Sequence, residues 1–130
     1  MQHPAVPAAT EVVGRSAIDA GLRVHSALGA GLLESAYEQG LAYELARRGV
    51  EVCRQVILQI SYENTTLVAG YRIYLLVGRA VIIEVKSVET LTPVHRAQLV
   101  TYLKLSGHRL GSLMNFNVRL FKDGPKRMVI

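Results

Sequence analysis

The hydrophobic period of this chain changes three times, and those changes confine it to a mixed α/β fold. Up to Gly49 the apolar residues recur at helical spacing, first as Val13, Ala17, Ala20, Val24 and Leu28, then as Leu33, Ala36, Tyr37, Leu41 and Leu45. The first series predicts a helix capped by Thr10, with Glu11 in its first turn, that stops at Gly29-Ala30-Gly31. The second predicts a helix from about Leu32 to Arg48, closed by Gly49. After Gly49 the period shortens. Val52, Gln55–Ile60 and Tyr62 read as one strand, Leu67 to Val77 as a second and Ala80 to Lys86 as a third, with turns at Glu63-Asn64-Thr65 and Gly78-Arg79. Helical spacing returns from Val94 to Leu105, behind Thr92 as cap and Pro93 in the first turn, and ends at Gly107. Leu110 to Phe116 reads as a fourth strand, and Lys126 to Ile130 as a short last one. The order is α-α-β-β-β-α-β, a sheet flanked by helices with one crossover helix.

At 130 residues, the chain suits one domain, taken here as 10–130 behind a flexible tail of residues 1–9. Half of it is apolar and 19% is charged, which excludes a disordered chain. The uncharged run between Arg23 and Glu34 is too short to span a bilayer. Met1 to Thr10 has no basic start or apolar stretch of the secretory kind, so a cytoplasmic protein is expected. With one cysteine there is no internal disulfide and no Cys-rich zinc site. The charge is uneven. Residues 1–64 hold five basic and seven acidic groups, net −2, and residues 65–130 hold ten and three, net +7. A basic half suits a polyanion such as nucleic acid, and equally suits a merely soluble surface.

Ile82-Ile83-Glu84-Val85-Lys86 carries the sharpest local signal. On a strand, Glu84 and Lys86 share a face and Ile83 and Val85 take the other. The pair reads either as a strand-end ion pair blunting an edge, or as a carboxylate that holds Mg²⁺ beside a lysine that activates water and stabilises phosphate charge. His95, Gln98 and Tyr102 form a polar stripe on the last helix, opposite Ala97, Val100 and Leu103. His25 reads as a buried, hydrogen-bonded side chain, Cys53 as a buried inert thiol, and Gly29-Ala30-Gly31 as a helix–helix turn. Arg119, Lys122, Lys126 and Arg127 surround the turn at Asp123-Gly124, either as a solvated hairpin or as a phosphate-contacting patch.

Gly31-Leu-Leu-Glu34-Ser-Ala-Tyr37 has the form GxxExxY. Together with Glu84-Val-Lys86, Leu91-Thr-Pro-Val-His95-Arg-Ala-Gln98-Leu, Tyr102-Leu-Lys and Met114-Asn115-Phe116-Asn117-Val118, it makes the chain resemble the GxxExxY protein family, grouped with the PD-(D/E)xK, restriction-endonuclease-like nucleases. The resemblance runs from about Glu11 to Arg127. It implies a restriction-endonuclease-like mixed sheet and hydrolysis of nucleic-acid phosphodiesters with Mg²⁺ or Mn²⁺. It also implies Glu34 and Glu84 as metal-site carboxylates, the Val85 carbonyl as a further ligand and Lys86 as the catalytic lysine. Gln98 and Tyr102 match the Gln-xxx-Tyr pattern of RecB-like relatives and, with His95, should line the cleft that Glu34, Glu84 and Lys86 form.

One position departs. The family's second strand usually reads Arg-x-Asp-Leu-Leu-Val, and this chain reads Arg72-Ile73-Tyr74-Leu75-Leu76-Val77. The expected metal-binding aspartate is Tyr74, a neutral phenol in place of a hard anionic ligand. Asp19, Glu38 and Glu63 are the acids that could stand in for it. Two functions stay open: a metal-dependent nuclease with weak or no activity, and a catalytically silent module of the same fold that binds nucleic acid or protein. Nucleic acid is the expected partner, no membrane is, and a homodimer would suit a small nuclease-fold domain. With Tyr74 in place, Lys86 is expected to pair with Glu84.

Overall fold

A computed structural model describes residues 4–68 and 70–130. Its elements are α1 (Ala8–Leu28), α2 (Glu34–Arg47), β1 (Val52–Ile57), β2 (Ile60–Tyr62), β3 (Thr65–Leu67), β4 (Arg72–Val77), β5 (Val81–Lys86), α3 (Pro93–Ser106), β6 (Leu110–Asn115) and β7 (Pro125–Val129). The main sheet has the order β1-β4-β5-β6-β7. All its neighbours are antiparallel except β5 and β6, which α3 joins as the crossover. This is the α/β architecture that the period changes predict, with the mixed sheet flanked by helices that the resemblance implies.

Boundaries moved where local chemistry overrode the pattern. Helix α1 starts at Ala8, two residues before the expected cap, with Pro7 at the cap position and Val6 packed on the core. Proline's fixed φ and missing N–H suit the edge of a helix. Thr92 does cap α3, and His95 completes a capping box by accepting the Thr92 N–H. Gly107 closes α3 in the left-handed region at φ 81. The two long strands expected after Gly49 are each broken, because the chain leaves the sheet beyond Ile57. It returns at Arg72 after a separate β2–β3 hairpin, and the Leu58 N–H to Tyr71 carbonyl bond, 2.9 Å, bridges the gap.

The two faces of the sheet bury separate clusters. One holds Tyr37, Leu41 and Leu45 of α2 and Ala17 and Ala20 of α1 against Ile83, Val85, Met114 and Phe116. The other holds Leu99, Tyr102 and Leu103 of α3 against Ile73, Ile82 and Leu113. Residues 99, 102 and 103 thus form the buried stripe of α3, while Ala97, expected inside, is exposed. Tyr37 and Phe116 stack with ring centres 4.6 Å apart. The Tyr37 hydroxyl accepts the Leu32 N–H at 3.1 Å and donates to the Gly29 carbonyl at 2.6 Å. It therefore ties down the helix–helix turn, in which Gly29 and Gly31 sit at φ 72 and 93. Buried His25 donates from Nε2 to the Val118 carbonyl at 2.7 Å, as expected of it. Cys53, expected buried, is exposed, because it lies on β1 at the edge of the sheet.

Candidate active site

Strand alternation slips at Tyr74, and the slip creates the site. The β1–β4 ladder runs from Val52↔Val77 to Ile57↔Arg72 but is interrupted at Gln55, opposite Tyr74. Gln55 has φ 53, rare for a residue with a side chain. On β4, Ile73 packs with the α3-side cluster, whereas Tyr74 and Leu75 both pack on the other one. The register is the same on both sides of the pair, so no residue is inserted and the ladder is interrupted at Gln55 and Tyr74 without a bulge. The β4–β5 ladder consequently ends at Leu75↔Ile83. Beyond it the strands part, and Glu84, Val85 and Lys86 keep only β6 as a partner.

Three groups meet in that split around Tyr74. From α2, Glu34 Oε1 accepts the Tyr74 hydroxyl at 3.0 Å, while Oε2 accepts the Ser87 N–H at 3.1 Å. From β5, Glu84 Oε1 accepts the Tyr74 N–H at 3.3 Å. The Lys86 Nζ stands 5.8 Å from the centre of the Tyr74 ring, near enough for a cation–π contact. The expected Lys86–Glu84 ion pair is not among those of the described residues. Glu84 is 2% exposed, and burial pushes its carboxyl up to about 7. Its hydrogen bond from Tyr74 and the charge of Lys86 oppose that shift, and Glu34 and Glu38 add to it. Burial, with the charge and hydrogen bond of Glu34, raises the Tyr74 phenol to about 12, so it stays a neutral donor.

Glu38 lies one turn after Glu34 and is also buried. It accepts Gln55 Nε2 at 2.5 Å and Arg54 Nη2 at 3.3 Å. Of the three acids that could replace the missing aspartate, Glu38 is the one whose charge reaches Tyr74 and Glu84. Asp19 is exposed on α1, and Glu63 lies in the β2–β3 turn, at φ 54. Arg54, Gln55 and Ser87 were not foreseen. The sequence holds no sign of the bend that turns Gln55 towards Glu38, and the Ser87 N–H is a backbone group that any residue would supply.

The remaining expected residues are placed unevenly. Tyr102 belongs to the inward stripe of α3 and is mostly buried, yet it lines the same groove as Gln98 and His95. Its phenol is raised by burial and then by the charge of Glu84, and its oxygen accepts Gln98 Nε2 at 3.0 Å. Gln98 and His95 line a groove with Tyr71 and Leu58 beside the site, and the His95 ring doubles as the α3 cap. The four C-terminal cations do not form one patch. Lys126 and Arg127 alternate to opposite faces of β7, and Arg127 is held by Glu11 through two bonds of 2.7 and 3.1 Å. Arg119 and Lys122 remain exposed in the segment after β6.

The donor set as arranged does not suit Mg²⁺. That ion demands near-octahedral oxygen ligands and is usually held by one or two carboxylates. Here both oxygens of Glu34 and one of Glu84 accept protein hydrogens. Among the described residues no group of three acids, histidines or cysteines is gathered as a metal centre.

No curated protein and no solved structure matches the chain at a significant level. A family model described as the PD-(D/E)XK nuclease superfamily matches residues 11–128. That span takes in both helices of the first half, the parted strands with Glu84 and Lys86, the crossover helix and nearly all of β7. With nearly its whole length matched, and with the mixed sheet and split strand pair described above, the chain belongs to the PD-(D/E)XK nuclease superfamily.

Proposed function

We propose that this protein binds nucleic acid through a nuclease fold and hydrolyses phosphodiesters weakly or not at all in its natural form. The observation that carries this reading is the double role of Tyr74. Its hydroxyl donates to Glu34 and its N–H to Glu84, so one neutral residue links the two carboxylates that would hold a divalent ion. Lys86 stands over the aromatic face of Tyr74. The charge of +7 over residues 65–130 supports a polyanionic partner, with Lys86, Arg119 and Lys122 towards one end of the sheet. No described helix is long and apolar enough to cross a membrane.

The test has two arms. Fluorescence anisotropy with a labelled duplex and a labelled single strand, at two salt concentrations, should show binding that weakens steeply with salt. For duplex DNA the slope is about −0.9 in log K per phosphate neutralised. Calorimetric titration with Mn²⁺ should show weak or no binding to the natural chain and measurable binding to Tyr74→Asp, which restores a hard anionic ligand and frees Glu34. Cleavage by Tyr74→Asp that is lost in Tyr74→Asp/Glu84→Ala would complete the case. Strong cleavage by the natural chain that Glu84→Ala abolishes would overturn it and point to Glu38 as the substitute acid. Absence of binding to either oligonucleotide at low salt would favour a protein-binding module.

A further inference from the structure

We propose a second ligand site, on the α1 face of the sheet and away from the parted strands, for a small amphiphilic carboxylate. A cavity of about 290 Å³ opens there between α1 and the edge formed by β6 and β7. That is close to the lower end of the roughly 300–1,000 Å³ typical of ligand pockets. Its inner part is apolar, with Ile18 of α1 over Val81 and Leu110. Gly14 brings α1 close at that point, since a Cβ there would stand 3.0 Å from Leu110.

The other end is polar. Ser112 on β6 lines the cavity and lies directly across the ladder from Arg127. Its hydroxyl is buried and has no hydrogen-bond partner in the protein, the one such side-chain atom among the described residues. A buried unsatisfied hydroxyl is costly to keep, so this one is a donor without a partner at the cavity wall. Arg127 and Glu11 pair at the rim and cancel, and Arg15, one turn after Glu11, has no ion-pair partner within 4.0 Å among the described residues. The rim therefore carries one uncompensated positive charge beside a free hydroxyl donor, with an apolar chamber next to both. An anionic head fits the first two, and a short hydrocarbon tail fits the third.

The test is an amide-resolved NMR titration of the full chain with butanoate, hexanoate, octanoate and hexanol. Shifts should centre on Gly14, Ile18, Ser112 and Arg127, and affinity should rise about fourfold per methylene until the chamber is full. Hexanol, which lacks the charge, should bind more weakly than hexanoate. Arg15→Gln, an exposed substitution, should weaken hexanoate several-fold and leave hexanol unchanged. Ser112→Ala should weaken hexanoate while leaving the fold at least as stable. Ile18→Trp should block the chamber; if it fails to fold, the Arg15→Gln comparison decides alone. Equal affinity for all chain lengths, shifts that map elsewhere, or no difference between hexanoate and hexanol would overturn the proposal.

Discussion

Replacing Glu84 by Gln should make this protein more stable at high pH and change little at low pH. The carboxyl is raised from an ordinary 4.5 to about 7 by burial beside Glu34 and Glu38. A raised acid binds more protons folded than unfolded between those two values. Stability linked to it is therefore full below pH 4.5 and is lost as pH climbs through about 7. Integrating between pH 5 and pH 8 gives a loss of about 2–3 kcal/mol attributable to this one group. Glutamine keeps an oxygen to accept the Tyr74 N–H and never ionises, so it escapes the loss. Urea denaturation of both proteins across that range should show the variant gaining on the natural chain by about 2 kcal/mol, with most of the gain between pH 5 and pH 7. Only the difference matters, because the other titrating groups are common to both. A stability difference that does not change with pH would refute the assignment of a raised carboxyl at Glu84. A difference that grows towards acid would reverse its sign.

Further expectations rest on the scaffold around the site. Tyr37→Phe strips two backbone groups, at Gly29 and Leu32, of their partner and should cost about 1–3 kcal/mol in urea denaturation with the fold intact by circular dichroism. In the same assay, Phe116→Ala empties the stack on Tyr37 and should cost about 3–5 kcal/mol. Gly124→Ala would press a methyl group into the Asn115 carbonyl, a backbone atom that cannot yield, and should cost about 1–3 kcal/mol or prevent folding. Thr92→Ala removes the α3 cap and should cost about 1 kcal/mol, visible as a lower urea midpoint.

What the sequence determined by itself was the architecture and the chemistry of one strand. Helical spacing before Gly49, alternation after it and a capped helix behind Thr92-Pro93 follow from local preferences. These dictate an α/β fold and put Glu84 and Lys86 on one face of β5. The motif Gly31-x-x-Glu34-x-x-Tyr37 was legible as a pattern, but only the folded chain explains it. Tyr37 ties the turn that Gly31 makes, and the turn delivers Glu34 to Tyr74 across 40 residues. The broken strands, the burial of Tyr102, the scattering of the C-terminal cations and the exposure of Cys53 all depended on which side of the sheet a neighbour covers. No period in a sequence records that. The interrupted ladder at Gln55 and Tyr74 is the clearest case. It arises from two strands adjusting to each other, 19 residues apart in the chain, and from the hydrogen bond that holds Gln55 on Glu38. Local propensity favours a continuous ladder there. Tertiary pairing decided that the strands part beyond Ile83, and that decision placed two carboxylates, a lysine and a phenol in one opening.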